Sequence, residues 1–151
     1  MATYSVDSAG DVALSASTAK TVLSVIAGSN APLKLIEFGV SFDGTSSTAT
    51  PVLVELCSST EAGAGTATSQ SPVQTGGPTR TAQASGKRNF TAEPTVLTTL
   101  KRWRVHPQAG LVLQFPLGRE PQQVTGGRAL VLRCTAGASV NASAYLEFEE
   151  G

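Results

Sequence analysis

The sequence predicts an all-β chain, an antiparallel β-sandwich of the jelly-roll or Greek-key kind, and three observations carry that expectation. Apolar residues recur with a period of two in one segment after another, turn-forming residues separate those segments, and Thr, Ser, Gly and Ala fill much of the remainder. Alternation of this kind buries one face of a strand, and the composition suits strands and turns better than helices. At 151 residues the chain is read as one domain over residues 1–151, long enough to bury roughly 68–70% of the surface of its unfolded form.

In chain order, residues 4–6 and the alternating Val12, Leu14 and Ala16 flank a turn at Asp7-Ser8-Ala9-Gly10-Asp11. Residues 20–27 are β-branched enough for a strand, although Val22, Val25 and Ile26 also fit a helical spacing. The strongest signal is 33–42, where Ile36, Phe38, Val40 and Phe42 share one parity; after a polar turn, Val52, Val54 and Leu56 do the same. These two segments are expected to pair antiparallel as the core. Residues 58–94 are rich in glycine and small polar residues and read as a long excursion. It is either an arm that reaches a partner or a surface segment hiding short strands near 71–75 and 80–84.

Residues 96–105 contain a change of parity, with Val96, Thr98 and Leu100 on one side and Trp103 and Val105 on the other. A bulge near Lys101-Arg102 would restore the register. Leu111, Leu113 and Phe115 mark another strand, broken by Pro116 and Pro121; Leu130, Leu132 and Cys134 mark the next. The last strand has Val140, Ala142, Ala144, Leu146 and Phe148 on its inner parity, and the acidic end Glu147-Phe148-Glu149-Glu150-Gly151 reads as solvated.

Function classes narrow by composition. Eleven basic residues balance eleven acidic ones, so no overall field favours nucleic acid or a membrane surface as a partner. No stretch reaches the ~20 apolar residues of a membrane span, and Met1-Ala2-Thr3-Tyr4-Ser5 has no signal-peptide character, so synthesis in the cytoplasm is expected and the Asn89-Phe90-Thr91 and Asn141-Ala142-Ser143 sequons carry no weight. Cys57 and Cys134 lie in apolar strands without neighbouring ligands, which favours two reduced buried thiols over a disulfide and leaves no zinc site. No cofactor or metal is implied. The single histidine, His106, precedes a proline in a turn, and no Gly-x-Ser-x-Gly elbow marks a nucleophile. Ser85-Gly86-Lys87-Arg88 is no phosphate loop, because Thr81 stands where that motif requires glycine. An enzyme is therefore not expected. Candidate partner contacts are Arg88 and Phe90 at the end of the excursion and the cluster Arg102, Trp103 and Arg104, since Arg and Trp favour docking surfaces. A strand's wet face and a core tryptophan are the plainer account of the same cluster.

Trp103-Arg104-Val105-His106-Pro107, the run from Gly110 to Pro121, Gly127 with the strand to Cys134, and Tyr145-Leu146-Glu147-Phe148-Glu149-Glu150, together with 33–57, resemble the small β-sandwich virion proteins of tailed phages, particularly phages of actinobacteria. The likeness rests on strand and turn spacing and carries over no chemical motif. It implies a non-enzymatic capsid decoration or cement protein located on the virion surface. The resemblance further implies a homo-oligomer, with a trimer favoured, bound to the major capsid protein. A ligand-binding β-sandwich module, for carbohydrate or tail-associated adhesion, is the alternative; it would need an exposed aromatic platform built from Trp103, Tyr4, Tyr145 and the phenylalanines.

Overall fold

The computed structural model describes residues 1–60 and 65–151. Glu61, Ala62, Gly63 and Ala64, the first glycine-rich part of the excursion, lie outside the described residues. Among the described residues thirteen strands run in order: β1 (Ala2–Asp7), β2 (Val12–Leu14), β3 (Ala19–Ile26), β4 (Leu33–Phe42), β5 (Val52–Ser59), β6 (Thr66–Gln70), β7 (Val73–Gly76), β8 (Ser85–Ala92), β9 (Leu97–Val105), β10 (Gly110–Gln114), β11 (Gln122–Gln123), β12 (Ala129–Thr135) and β13 (Val140–Glu150). Among the described residues no helix is long and apolar enough to cross a membrane. Residues 19–26 are extended, so the β-branching of that segment prevails over its helical spacing.

Two antiparallel sheets pack closely, as in a β-sandwich. The first has the order β10-β4-β13-β1-β7, with β11 also on β4 and β2 also on β13; the second has the order β6-β8-β3-β12-β5-β9. Between them lie Tyr4 and Val6, Leu33, Leu35, Phe38 and Val40, Leu146 and Phe148 from the first sheet, against Leu23 and Val25, Val54 and Leu56, Leu130 and Leu132 from the second. Tyr4 and Phe148 stack at 5.6 Å. Removing such side chains from water is what drives the two sheets together, at about 1.5–3 kcal/mol for each large apolar group.

Two expectations about the core strands are corrected. The segments 33–42 and 52–57 do not pair: β4 and β5 belong to opposite sheets. The long polar connection between them is free to cross the layer, which a tight hairpin turn could not do. Ile36 does not join the core parity either. It is the extra residue of a bulge, since Glu147 pairs with Glu37 and Phe148 with Leu35, and this lets Leu33 and Leu35 face inward with Phe38 and Val40. The bulge expected near Lys101-Arg102 is present, with Leu100 as its extra residue between Cys57↔Thr99 and Leu56↔Lys101. It turns Trp103 and Val105 inward and leaves Leu100 half exposed.

The excursion is built into the sandwich. β7 pairs with β1 at the edge of the first sheet, while β8 pairs with β3 and β6 with β8 in the second. The strand expected near 71–75 exists as β7, whereas 80–84 is a strap without strand pairing. Glu150 holds that strap, and the reading of the acidic end as solvated fails here. Its carboxylate is fully buried and accepts the Gln83 N–H at 2.9 and 3.0 Å and the Ala84 N–H at 2.7 Å, with Arg80 3.8 Å away. Farther along, Glu93 accepts the Thr21 N–H at 2.8 Å and its hydroxyl at 2.9 Å. Carboxylates thus tie the excursion down where apolar residues are lacking.

The cysteines are free and buried. Cys134 belongs to the core between the sheets, and Cys57 packs with Ile26, Ala129 and Val131 on the other side of its sheet. Opposite faces of one sheet cannot share a disulfide. Burial pushes the Cys134 thiol up to about 12 and raises Cys57 as well, so neither is a ready nucleophile.

Candidate interaction surface

One side of the sandwich ends in β7 and β6, and the other in β10 and β9, the remaining outermost strands of the two sheets. Between β10 and β9 runs a groove of about 470 Å³ lined by Lys101, Arg102, Trp103, Leu113, Gln114, Phe115 and Pro116. Its floor is aromatic. Phe38 lies 5.1 Å from Trp103 and 6.1 Å from Phe115, both tilted, an arrangement worth about 0.5–1.5 kcal/mol per pair beyond burial. Trp103 is half-buried against the core. It is a core residue on one side and groove wall on the other.

The arginines are arranged by cross-strand register. Arg102 on β9 lies directly opposite Glu55 on β5, which lies directly opposite Arg133 on β12. Glu55 is only 4% exposed. Its carboxylate accepts Arg102 Nε at 3.0 Å and the Thr99 hydroxyl at 3.2 Å on one oxygen, and Arg133 Nε and Nη2 at 3.2 and 3.1 Å on the other. Two guanidiniums on one carboxylate leave a surplus positive charge, and Arg104 adds another at the same edge. Burial would raise the Glu55 pKa, but the Arg102 hydrogen bond, the charge and hydrogen bond of Arg133 and the Thr99 hydroxyl outweigh it and hold the group below its usual 4.5. Folding stability from this cluster is therefore complete above the unfolded-state value and is lost as pH falls through the lowered native value. Glu55→Gln is expected to cost about 1–3 kcal/mol at pH 7 and to narrow its gap to the parent at pH 3, as read from urea midpoints at both pH values. Most of that loss belongs to the less exposed Arg133 bridge, because the Arg102 side chain is 64% exposed and water screens its pair.

Arg88 and Phe90 do not join this surface. They lie on β8, which β3, β12 and β5 separate from β9, roughly 19 Å at the usual spacing of neighbouring strands. Phe90 is 3% exposed and belongs to the interior; Arg88 donates to Gln70 at 3.0 Å. The aromatic platform required by a carbohydrate-type module is also dispersed, because Tyr4 is buried and Tyr145 lies across Gly39, where any Cβ would run into its ring.

At one end of the sandwich, loops carrying Asp43, Thr45, Ser46, Pro107 and Ser139, with Val52 and Val140 beside them, line a cleft of mixed polarity of about 400 Å³. Asp43 accepts the Asn141 N–H and side-chain amide, both at 2.8 Å, which hold its carboxyl below the usual range. His106 stands beside this end. Its Nδ1 accepts the Gln108 N–H at 3.1 Å, so Nε2 carries the proton and donates to the Ser47 carbonyl at 3.3 Å. Both ring nitrogens are spent on backbone groups.

No family model, curated protein or solved structure matches this chain.

Proposed function

We propose that the chain is a non-enzymatic structural protein of a virion, a head decoration or cement protein with a jelly-roll body that binds neighbours through its open β9–β10 edge. The strand order supports the jelly-roll reading: β1-β13-β4-β10 faces β3-β12-β5-β9, with β6, β7 and β8 as an insertion that extends both sheets at the far side. From β3 to β5, and again from β9 through β10 and β12 to β13, the chain alternates between the sheets. One observation carries the functional reading. Both sides of the sandwich end in outermost strands, but at the β6–β7 side the 80–84 strap is pinned by Glu150, whereas β9 and β10 flank an aromatic and basic groove. Work done by such a protein is contact area and shape, for which arginine and aromatic side chains at the centre are well suited.

The test is co-sedimentation of the purified chain with assembled heads of tailed phages of actinobacteria. Pelleting that depends on heads and is weakened by Lys101→Glu together with Arg104→Glu is the expected result. A chain that stays in the supernatant at low salt contradicts the reading. The loop-end cleft around Asp43 favours a second reading, a ligand-binding module, and a glycan screen giving hits lost on Asp43→Ala would favour it.

A further inference from the structure

The balance of charge in the sequence conceals a separation in space. The outer face of the first sheet carries Asp7, Glu37, Glu147 and Glu149 around Lys34. Glu147 lies directly opposite Glu37, Glu149 opposite Lys34, and Asp7 opposite Tyr145. Like charges opposite one another weaken a sheet. Among the described residues this pair receives hydroxyl groups, from Tyr145 to Glu37 at 2.6 Å and from Thr75 to Glu147 at 3.4 Å. On the second sheet the imbalance is reversed: Arg102 of β9 and Arg133 of β12 flank Glu55, Arg104 shares their outer face opposite Leu53, and Lys101 lines the neighbouring groove.

We infer that the basic β9 edge receives the acidic sheet face of a second copy of this chain. The inference rests on the structural-protein reading in taking the open edge as the contact surface, and it names the occupant. The two patches face outward from opposite sheets, so one two-fold contact cannot include both, and a two-fold contact within either would set like charge on like; the association is heterologous and builds a closed ring or an open chain of copies. A formal net charge of zero means that added copies accumulate no overall repulsion. Apolar area accompanies the charges on both partners. Trp103, Leu113 and Phe115 line the groove, and Val112, 66% exposed, stands opposite Gly39 beside the Tyr145 ring on the acidic face.

Sedimentation velocity of the full chain tests this at about 50 and 500 mM NaCl, where the screening length falls several-fold. The parent chain is expected to associate at low salt and to dissociate at high salt. Arg104→Glu and Glu147→Lys are each expected to weaken association by roughly tenfold or more. Neither variant is expected to unfold the chain: residue 104 is exposed, and a lysine at 147 turns the like-charged pair with Glu37 into an attractive one. The double variant reverses both partners of the contact and is expected to restore association, which a merely damaged fold would not do. A parent chain that is monomeric at low salt, single reversals without effect, or a double variant that stays dissociated would overturn the inference. Monomers that pellet with heads would leave the virion role standing without this contact; oligomers that ignore heads would leave the contact standing without that role.

Discussion

Glu150→Ala is expected to destabilise the fold by about 3 kcal/mol and to release the strap formed by residues 80–84. The side chain is fully buried at the end of β13 and accepts the N–H groups of Gln83 and Ala84. Truncation leaves both donors without their acceptor, in a place from which the strap leads directly into β8. Tyr4 loses order as well, because its hydroxyl donates to the Arg80 carbonyl at 3.2 Å. Urea unfolding measures the loss, and amide exchange locates it at Gln83 and Ala84. A change within about 0.5 kcal/mol, usual for a surface residue, would mean that the strap is held by other contacts.

Phe38→Ala is expected to cost about 3–5 kcal/mol, the range for a large aromatic side chain removed from a packed core. Its effect reaches the groove because the Phe38 ring supports both Trp103 and Phe115. Trp103 is the single tryptophan, so its fluorescence reports the change without ambiguity. A red shift in the folded variant is expected, alongside the lower urea midpoint. An unchanged emission maximum would separate the groove from the core and contradict the account of Trp103 given above.

What the sequence revealed was the inward parity of strands with one wet face: Val52, Val54 and Leu56, Leu130 and Leu132, or Leu146 and Phe148. It was silent on strands whose outer face is also covered. Ala129 and Val131 alternate with Leu130 and Leu132 yet are just as buried, because β12 is central and Cys57 and Ile26 pack beside them. Strands β6 and β7 were hard to see for the opposite reason. Their side chains are mostly exposed, and edge pairing through the backbone needs no apolar period. Bulges shift parity by one residue, so the alternation that puts Ile36 with Phe38 and Val40 does not hold across the β4 bulge, whereas the change of parity in β9 shows its bulge in the sequence. Glu55 and Glu150 depend on partners dozens of residues away, Arg133 for the one and Gln83 for the other, and no local pattern announces such a contact. At the candidate surface, Arg102, Trp103 and Arg104 were legible as a cluster, but Leu113 and Phe115 became part of it only through the packing of the sheets.

On the proposed reading the chain binds a neighbour through the β9–β10 edge, while the strap beside the β6–β7 edge stays pinned by Glu150. Amide hydrogen exchange of the head-bound chain against the free chain tests that account most directly, since the amides of outermost strands exchange quickly until a neighbour covers them. The expected result is new protection across 97–105 and 110–116, with the loops at 43–50 and 136–139 unchanged. Protection confined to those loops, or none anywhere, would contradict it.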